Sequence, residues 1–97
     1  MKAILITYNQ AYYEDIAKVL NDHGVKGFTE WDEIKGHGSE TGEPHMGTHA
    51  WPTLNNAIVS VMEDDRVEAV LDALRTRDQK APELGLRAFV WTIDNML

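Results

Sequence analysis

Ninety-seven residues with nine Lys and Arg against sixteen Asp and Glu carry a formal net charge of −7, which weighs against nonspecific nucleic-acid binding and against an anionic membrane surface as partner, since both need clustered cations. No apolar run approaches the roughly 18–20 residues that span a bilayer, and the absence of cysteine excludes disulfides, thiolate metal sites and Cys nucleophiles. The opening MKAILITY lacks the longer apolar core and cleavage site of a signal peptide, so one cytoplasmic domain over residues 1–97 is expected, with a core small enough to gain from oligomerisation.

Lys2 to Tyr8 (KAILITY) is β-branched and aromatic, and too short for a helix of its own; it reads as a central strand. A helical pattern opens at Asn9 or Gln10, with Tyr13, Ile16, Ala17 and Leu20 on one face. It should stop at Gly24, which can take the left-handed position after a helix, leaving His23 as a helix-end residue and Tyr12 and Tyr13 as packing at its start. Val25 to Lys35 resumes extended character. Phe28, Glu30, Asp32 and Ile34 fall on one face and Thr29, Trp31 and Glu33 on the other, the pattern of a strand that meets something on both sides.

Gly36 to Leu54 has no hydrophobic periodicity, yet holds four of the seven glycines and three of the four histidines. Loops of that length inside a compact domain are either functional or disordered. Asn55 to Met62 is a further strand. Glu63, Asp64 and Asp65 place acid at a helix N-terminus, Val67, Val70, Leu71 and Leu74 make its apolar stripe, and Arg75 and Arg77 close it. Pro82 and Gly85 break the pattern before a last strand, Leu86 to Ile93.

Two strand–helix–strand halves joined by a long loop predict an α+β fold of ferredoxin-like βαββαβ type: a four-stranded antiparallel sheet with two helices on one face. Nothing in the chain covers the other face, although Trp31, Trp91 and alternating apolar positions argue that it is buried. A second copy is the simplest cover.

Gly24-Val-Lys-Gly27-Phe-Thr29, then Ile34-Lys-Gly36-His-Gly38, then Gly42, resemble the signature of the PII signalling proteins, in which such a stretch leads through a strand into the long T-loop. The resemblance implies a non-enzymatic homotrimer with small-molecule sites in clefts between subunits, at the loop bases. Thr29, Gly36, Gly38, Gly42 and Arg87 would then serve a small ligand such as an adenine nucleotide, and the 36–54 loop would dock on a protein partner, an enzyme or a transporter. The related CutA proteins, associated with metal tolerance, share the trimer. The chain departs from the pattern in several places. No tyrosine lies between Gly36 and Leu54 to be uridylylated, and the family's loop glutamine is Glu40. No Lys or Arg occurs from Gly36 to Asp65, and the glycine-rich turn before the last strand is reduced to Glu83-Leu84-Gly85. Lys80 and Arg87 remain for phosphate, while Glu40 and Glu43 would repel a polyphosphate by on the order of 1 kcal/mol each. These departures weigh against a nucleoside triphosphate held in the usual PII way.

His37, His45 and His49 with Glu40 and Glu43 supply nitrogen and oxygen ligands without competing cations. If Pro44 starts a helical turn, His45 and His49 share one side of it, a grip for Zn²⁺, Cu²⁺ or Ni²⁺. Trp51-Pro52 is either an anchor for the loop or a recognition aromatic for a partner. The leading expectation is therefore a PII-like regulator that senses a small ligand or divalent metal at inter-subunit clefts and signals through its long loop to a protein partner, an enzyme or a transporter such as one of metal efflux. The alternatives are a small ferredoxin-like enzyme with a loop-covered cleft and a ligand-free assembly module.

Overall fold

The computed structural model describes residues 1–38 and 40–97. Strand β1 (Lys2–Asn9) leads through a short 3₁₀ turn into helix α1 (Tyr13–Asp22), followed by β2 (Thr29–Ile34), the long loop, β3 (Asn55–Met62), helix α2 (Val67–Lys80) and β4 (Arg87–Thr92). The strands form one antiparallel sheet in the order β2-β3-β1-β4. This is the expected ferredoxin-like arrangement. Among the described residues no helix is long and apolar enough to cross a membrane.

Alternation along β1 sorts the two sheet faces. Ile4, Ile6 and Tyr8 turn inward with Ile58 and Met62 of β3, and they meet Ile16 and Leu20 of α1 and Val67, Val70 and Leu74 of α2 in one core. An ion pair of 2.6 Å from Arg77 to Asp15 ties the helices together, with the guanidinium 5.8 Å from the centre of the Tyr12 ring. The opposite face carries Trp31, Phe89 and Trp91, which are 50%, 55% and 46% exposed.

Helix α1 ends as its sequence demands. Gly24 takes φ 72°, its amide donates to Asn21, and the Val25 amide donates back to Leu20 at 2.9 Å. That closure shortens the next strand. Val25 is buried in the core, the Ser60 hydroxyl donates to the Gly27 carbonyl, and the sheet ladder begins only at Thr29. A second correction concerns face. The register shifts between Trp31 and Ile34, where Glu33 adopts φ 56°, so Ile34 pairs with Asn55 and joins the Trp31 face instead of that of Glu30 and Asp32.

Candidate functional site

The long loop folds back on its own base. Gly36 and His45 exchange both backbone hydrogen bonds, at 2.7 and 2.8 Å, which closes the first half of the loop into a ring. The second half is a tight turn: the amides of Met46 and Thr48 donate to the Trp51 carbonyl, the Thr48 hydroxyl accepts from the Trp51 amide, and Gly47 donates to Thr53. Trp51 stands 41% exposed at its tip.

Three close approaches fix the ring on the sheet. The His45 imidazole is buried, and its Nδ1–H donates to Oδ1 of Asn55 at 2.5 Å. The same amide lies so near Gly36 that a Cβ there would come within 2.5 Å of Asn55 Nδ2. Gly38 meets Gly85, of the turn before β4, backbone to backbone; a Cβ on Gly85 (φ 71°) would lie 2.8 Å from Gly38 Cα. The reduced Glu83-Leu84-Gly85 turn therefore touches the loop base directly.

Between these contacts lies an open recess of about 330 Å³, floored by Gly36, Gly38 and Asn55 and walled by His37, Arg87 and Phe89. A second recess of about 520 Å³ shares His37, Gly38 and Arg87 and adds Glu40. Lys35 lines the first recess as well. The chemistry on offer is one guanidinium, which also donates to the Leu86 carbonyl at 2.7 Å, one nearby ammonium and the His37 imidazole, set against the Glu40 carboxylate; the Gly36 amide is already given to the His45 carbonyl. Arg and Lys beside an open recess suit a small oxyanion or phosphate group.

Of the residues expected to serve a small ligand, Gly36, Gly38 and Arg87 converge here. Gly42 lies further along the ring, where its carbonyl accepts from His37 Nε2–H at 2.8 Å. Thr29 pairs with Val59 at the opposite end of β2, roughly 20 Å away at the ordinary rise of a strand. Lys80 is exposed at the end of α2 and lines neither recess.

The histidines do not assemble. His37 is bonded to Gly42, His45 is buried against Asn55, and His49 is exposed. No helical turn follows Pro44: His45 is an extended bridge residue, so the four-residue spacing to His49 does not put both rings on one side. Among the described residues no three His, Asp or Glu side chains form a group that could hold a metal ion. His23 caps α1, its Nδ1–H donating to the Val19 carbonyl at 2.7 Å.

The sequence reading passed over a second polar group, on the helix side of the sheet edge. Asn56 Nδ2 donates to Glu30 at 3.1 Å, and its Oδ1 accepts from the Glu33 amide at 3.2 Å. Burial, with the Asp32 carboxyl alongside, pushes Glu30 up to about 7. Burial likewise pushes the Tyr8 phenol up to about 12. Asn56 lies close enough to favour ionisation of that phenol slightly, but no group among the described residues meets hydrogen-bond geometry with the hydroxyl. The available signal was the pair Asn55-Asn56 opening an otherwise apolar strand.

The sequence profile described as Nitrogen regulatory protein P-II matches residues 1–97. The chain belongs to this family. No curated protein sequence matches it. Among solved structures, this P-II chain is similar to CPII, a nitrogen regulatory PII-like protein from Thiomonas intermedia K12. The CPII form bound to ADP, AMP and bicarbonate gives a TM-score of 0.76 at 21% identity, over 93% of this chain and 82% of that one. The form bound to ADP and bicarbonate gives 0.75 at 22% identity over the same shares, 93% and 82%. The apo form gives 0.72 at 18% identity, over 93% and 85%. At these identities the likeness carries the P-II fold alone.

Proposed function

We propose that this chain is a non-catalytic P-II regulator. It takes an adenine nucleotide of few phosphates, with or without a small oxyanion such as bicarbonate, at the loop base, and it reports occupancy to a protein partner through residues 36–54. The observation that carries this reading is the convergence of Gly36, Gly38 and Arg87 around one recess, with Gly85 packed against Gly38 beside it. The ligands named for CPII, ADP, AMP and bicarbonate, fit that chemistry. Charge sets the preference among nucleotides. With Arg87 and Lys35 at the recess against Glu40, each added phosphate meets less compensation, so ADP or AMP is favoured over ATP.

Trp31 on one edge strand and Phe89 and Trp91 on the other, all exposed on the open sheet face, support a homotrimer closed over that face, since large apolar side chains gathered on one exposed face mark an association site. A trimer would also account for Thr29: at the far end of β2, it can serve the same ligand only from a neighbouring copy. Trp51, held out on a preformed turn, is the residue we assign to partner contact. The dispersed histidines give no support to a metal-sensing role.

Calorimetric titration with ADP, AMP, ATP and bicarbonate tests the reading. Saturable binding of ADP or AMP, weaker binding of ATP, and a loss of at least tenfold in Arg87→Ala are expected. If no nucleotide or bicarbonate binds, or if Arg87→Ala binds like wild type, the assignment fails.

A further inference from the structure

A groove of about 350 Å³ runs between α2 and β4, with Leu71 and Leu74 of the helix facing Leu86 and Val90. Its polar groups do not balance. Oδ1 of Asp78 is buried there without a hydrogen-bond partner among the described residues, a costly state for a carboxylate oxygen. The two guanidiniums alongside are engaged elsewhere, Arg75 with Asp72 and Glu68, and Arg87 with the Leu86 carbonyl. The strand bordering the groove is also open, since β4 ends the sheet. The Ile93 amide donates to Met1 across β1, so by antiparallel alternation the main-chain groups of Ala88, Val90 and Thr92 point outward from the free edge. The opposite edge is guarded by the β2 bulge and the carboxylates of Glu30 and Asp32.

We infer that this edge and groove receive residues Lys26 to Thr29 of a second copy, whose Lys26 completes Asp78. The contact rests on the homo-oligomer proposed above and gives its Thr29 a seat. Lys26, Gly27, Phe28 and Thr29 are all exposed, and only Thr29 joins the ladder of its own sheet. Val25 in the core and the Ser60 hydroxyl on the Gly27 carbonyl pin the stretch in place. Lys26 forms no ion pair among the described residues. An extended segment laid along β4 alternates its side chains between the two faces of the sheet. Lys26 and Phe28 then enter the groove on the helix side, the phenyl ring against Leu71 and Leu74 and the ammonium on Asp78. Gly27 and Thr29 fall on the other side, where Arg87 borders both the groove and the loop-base recess. Nothing lies within 4 Å of a Cβ at Gly27, which leaves its main chain open to close approach. Thr29 of one copy thus reaches the ligand site of the next, a head-to-tail contact of the kind that closes into a ring.

The chain has no cysteine, so an engineered disulfide tests the contact directly. Within one chain the two positions cannot be bridged. Arg66, which caps the start of α2, donates to the Gly24 carbonyl at 2.7 Å, and Asp78 lies about 17 Å further along that helix. A disulfide spans a Cα separation of at most about 7 Å. The double variant Lys26→Cys with Asp78→Cys, oxidised at neutral pH, should therefore run as covalent dimers and trimers on a non-reducing gel, with neither single variant doing so. In light scattering, Lys26→Asp and Asp78→Lys should each raise the concentration for half-assembly roughly tenfold or more, and the two together should restore it. An oligomeric wild type whose double variant forms no interchain link, or whose two reversals give no mutual rescue, overturns this contact and leaves the homo-oligomer standing. A wild type that scatters as a monomer removes the homo-oligomer itself, and the contact with it.

Discussion

Replacing Gly38 by alanine probes the contact on which the recess depends. A Cβ at residue 38 would lie 2.8 Å from the Gly85 Cα and carbonyl carbon, and nearer still to the carbonyl oxygen. Ordinary carbon–carbon contact is about 3.5–4.0 Å. Loop base and turn must therefore separate by about 1 Å, and because the neighbour is backbone no side-chain rotation can absorb the clash. Overpacking of this kind costs about 1–3 kcal/mol, and the upper half of that range applies here. If the ligand needs the closed contact, about 2 kcal/mol converts to roughly thirtyfold weaker binding. Gly27 supplies the control, since nothing lies within 4 Å of a Cβ there and its φ is not left-handed. Gly27→Ala should be neutral, or stabilised by about 0.4–1 kcal/mol through loss of unfolded-state freedom. Urea unfolding at fixed protein concentration and ADP calorimetry on both variants would read the difference. Should Gly38→Ala match Gly27→Ala in midpoint and affinity, the close approach does not hold the site.

Other outcomes follow from the same geometry. Glu30 is raised from 4.5 to about 7 in the folded chain, so it stabilises in full below pH 4.5, and that contribution is lost as pH rises to about 7. The whole shift corresponds to about 3 kcal/mol, which partial solvation reduces to about 1–2. Stability measured by urea between pH 4.5 and 7 should fall by that amount in wild type and stay flatter in Glu30→Gln. Asn55→Ala leaves the buried His45 Nδ1–H unpaired, a loss of about 1–3 kcal/mol, and proteolysis within residues 36–54 should quicken; an unchanged cleavage rate would show that the ring closes without Asn55. Trp91→Glu places charge on the open sheet face, and light scattering should find a smaller assembly than wild type. A Trp91→Glu protein of unchanged mass would remove that face from the interface.

The regular elements were legible because each carries its own period. The i, i+3, i+4, i+7 stripes of Ile16–Leu20 and Val67–Leu74 become buried helix faces, and the alternation of Ile4, Ile6 and Tyr8 survives as a core face. β2 was only half legible. Its start was taken by the Gly24 closure, which draws Val25 back toward Leu20, and its second half changed face at a bulge. This bulge is met by a cross-strand side-chain amide, Asn56 on Glu33, and leaves no periodic trace. The internal bonding of the loop was illegible for a related reason. Lack of periodicity indicates only that no regular element runs there; it says nothing of a bridge such as Gly36–His45, made by two residues that are neighbours in space alone. Histidine content suffered likewise. Three imidazoles in one loop make a ligand set only if their directions converge, and burial of His45 against Asn55 sends one of them inward.

The glycine pattern has a physical meaning in the fold. At Gly36 and Gly38 it is the room for an approaching neighbour that the missing Cβ supplies, an Asn55 amide in one case and the Gly85 backbone in the other. On the nucleotide reading, the two glycines keep this recess open and Arg87 adds positive charge to its lining. The same closeness makes the floor sensitive. A shift of about 1 Å in the turn before β4, or in the bulge that precedes Lys35, would disturb the close packing of Gly36 on Asn55 and of Gly38 on Gly85. The loop's external reach and the proposed ligand site thus rest on the same few contacts, and a ligand that tightened those contacts would also restrict the positions open to Trp51 at the other end of the loop.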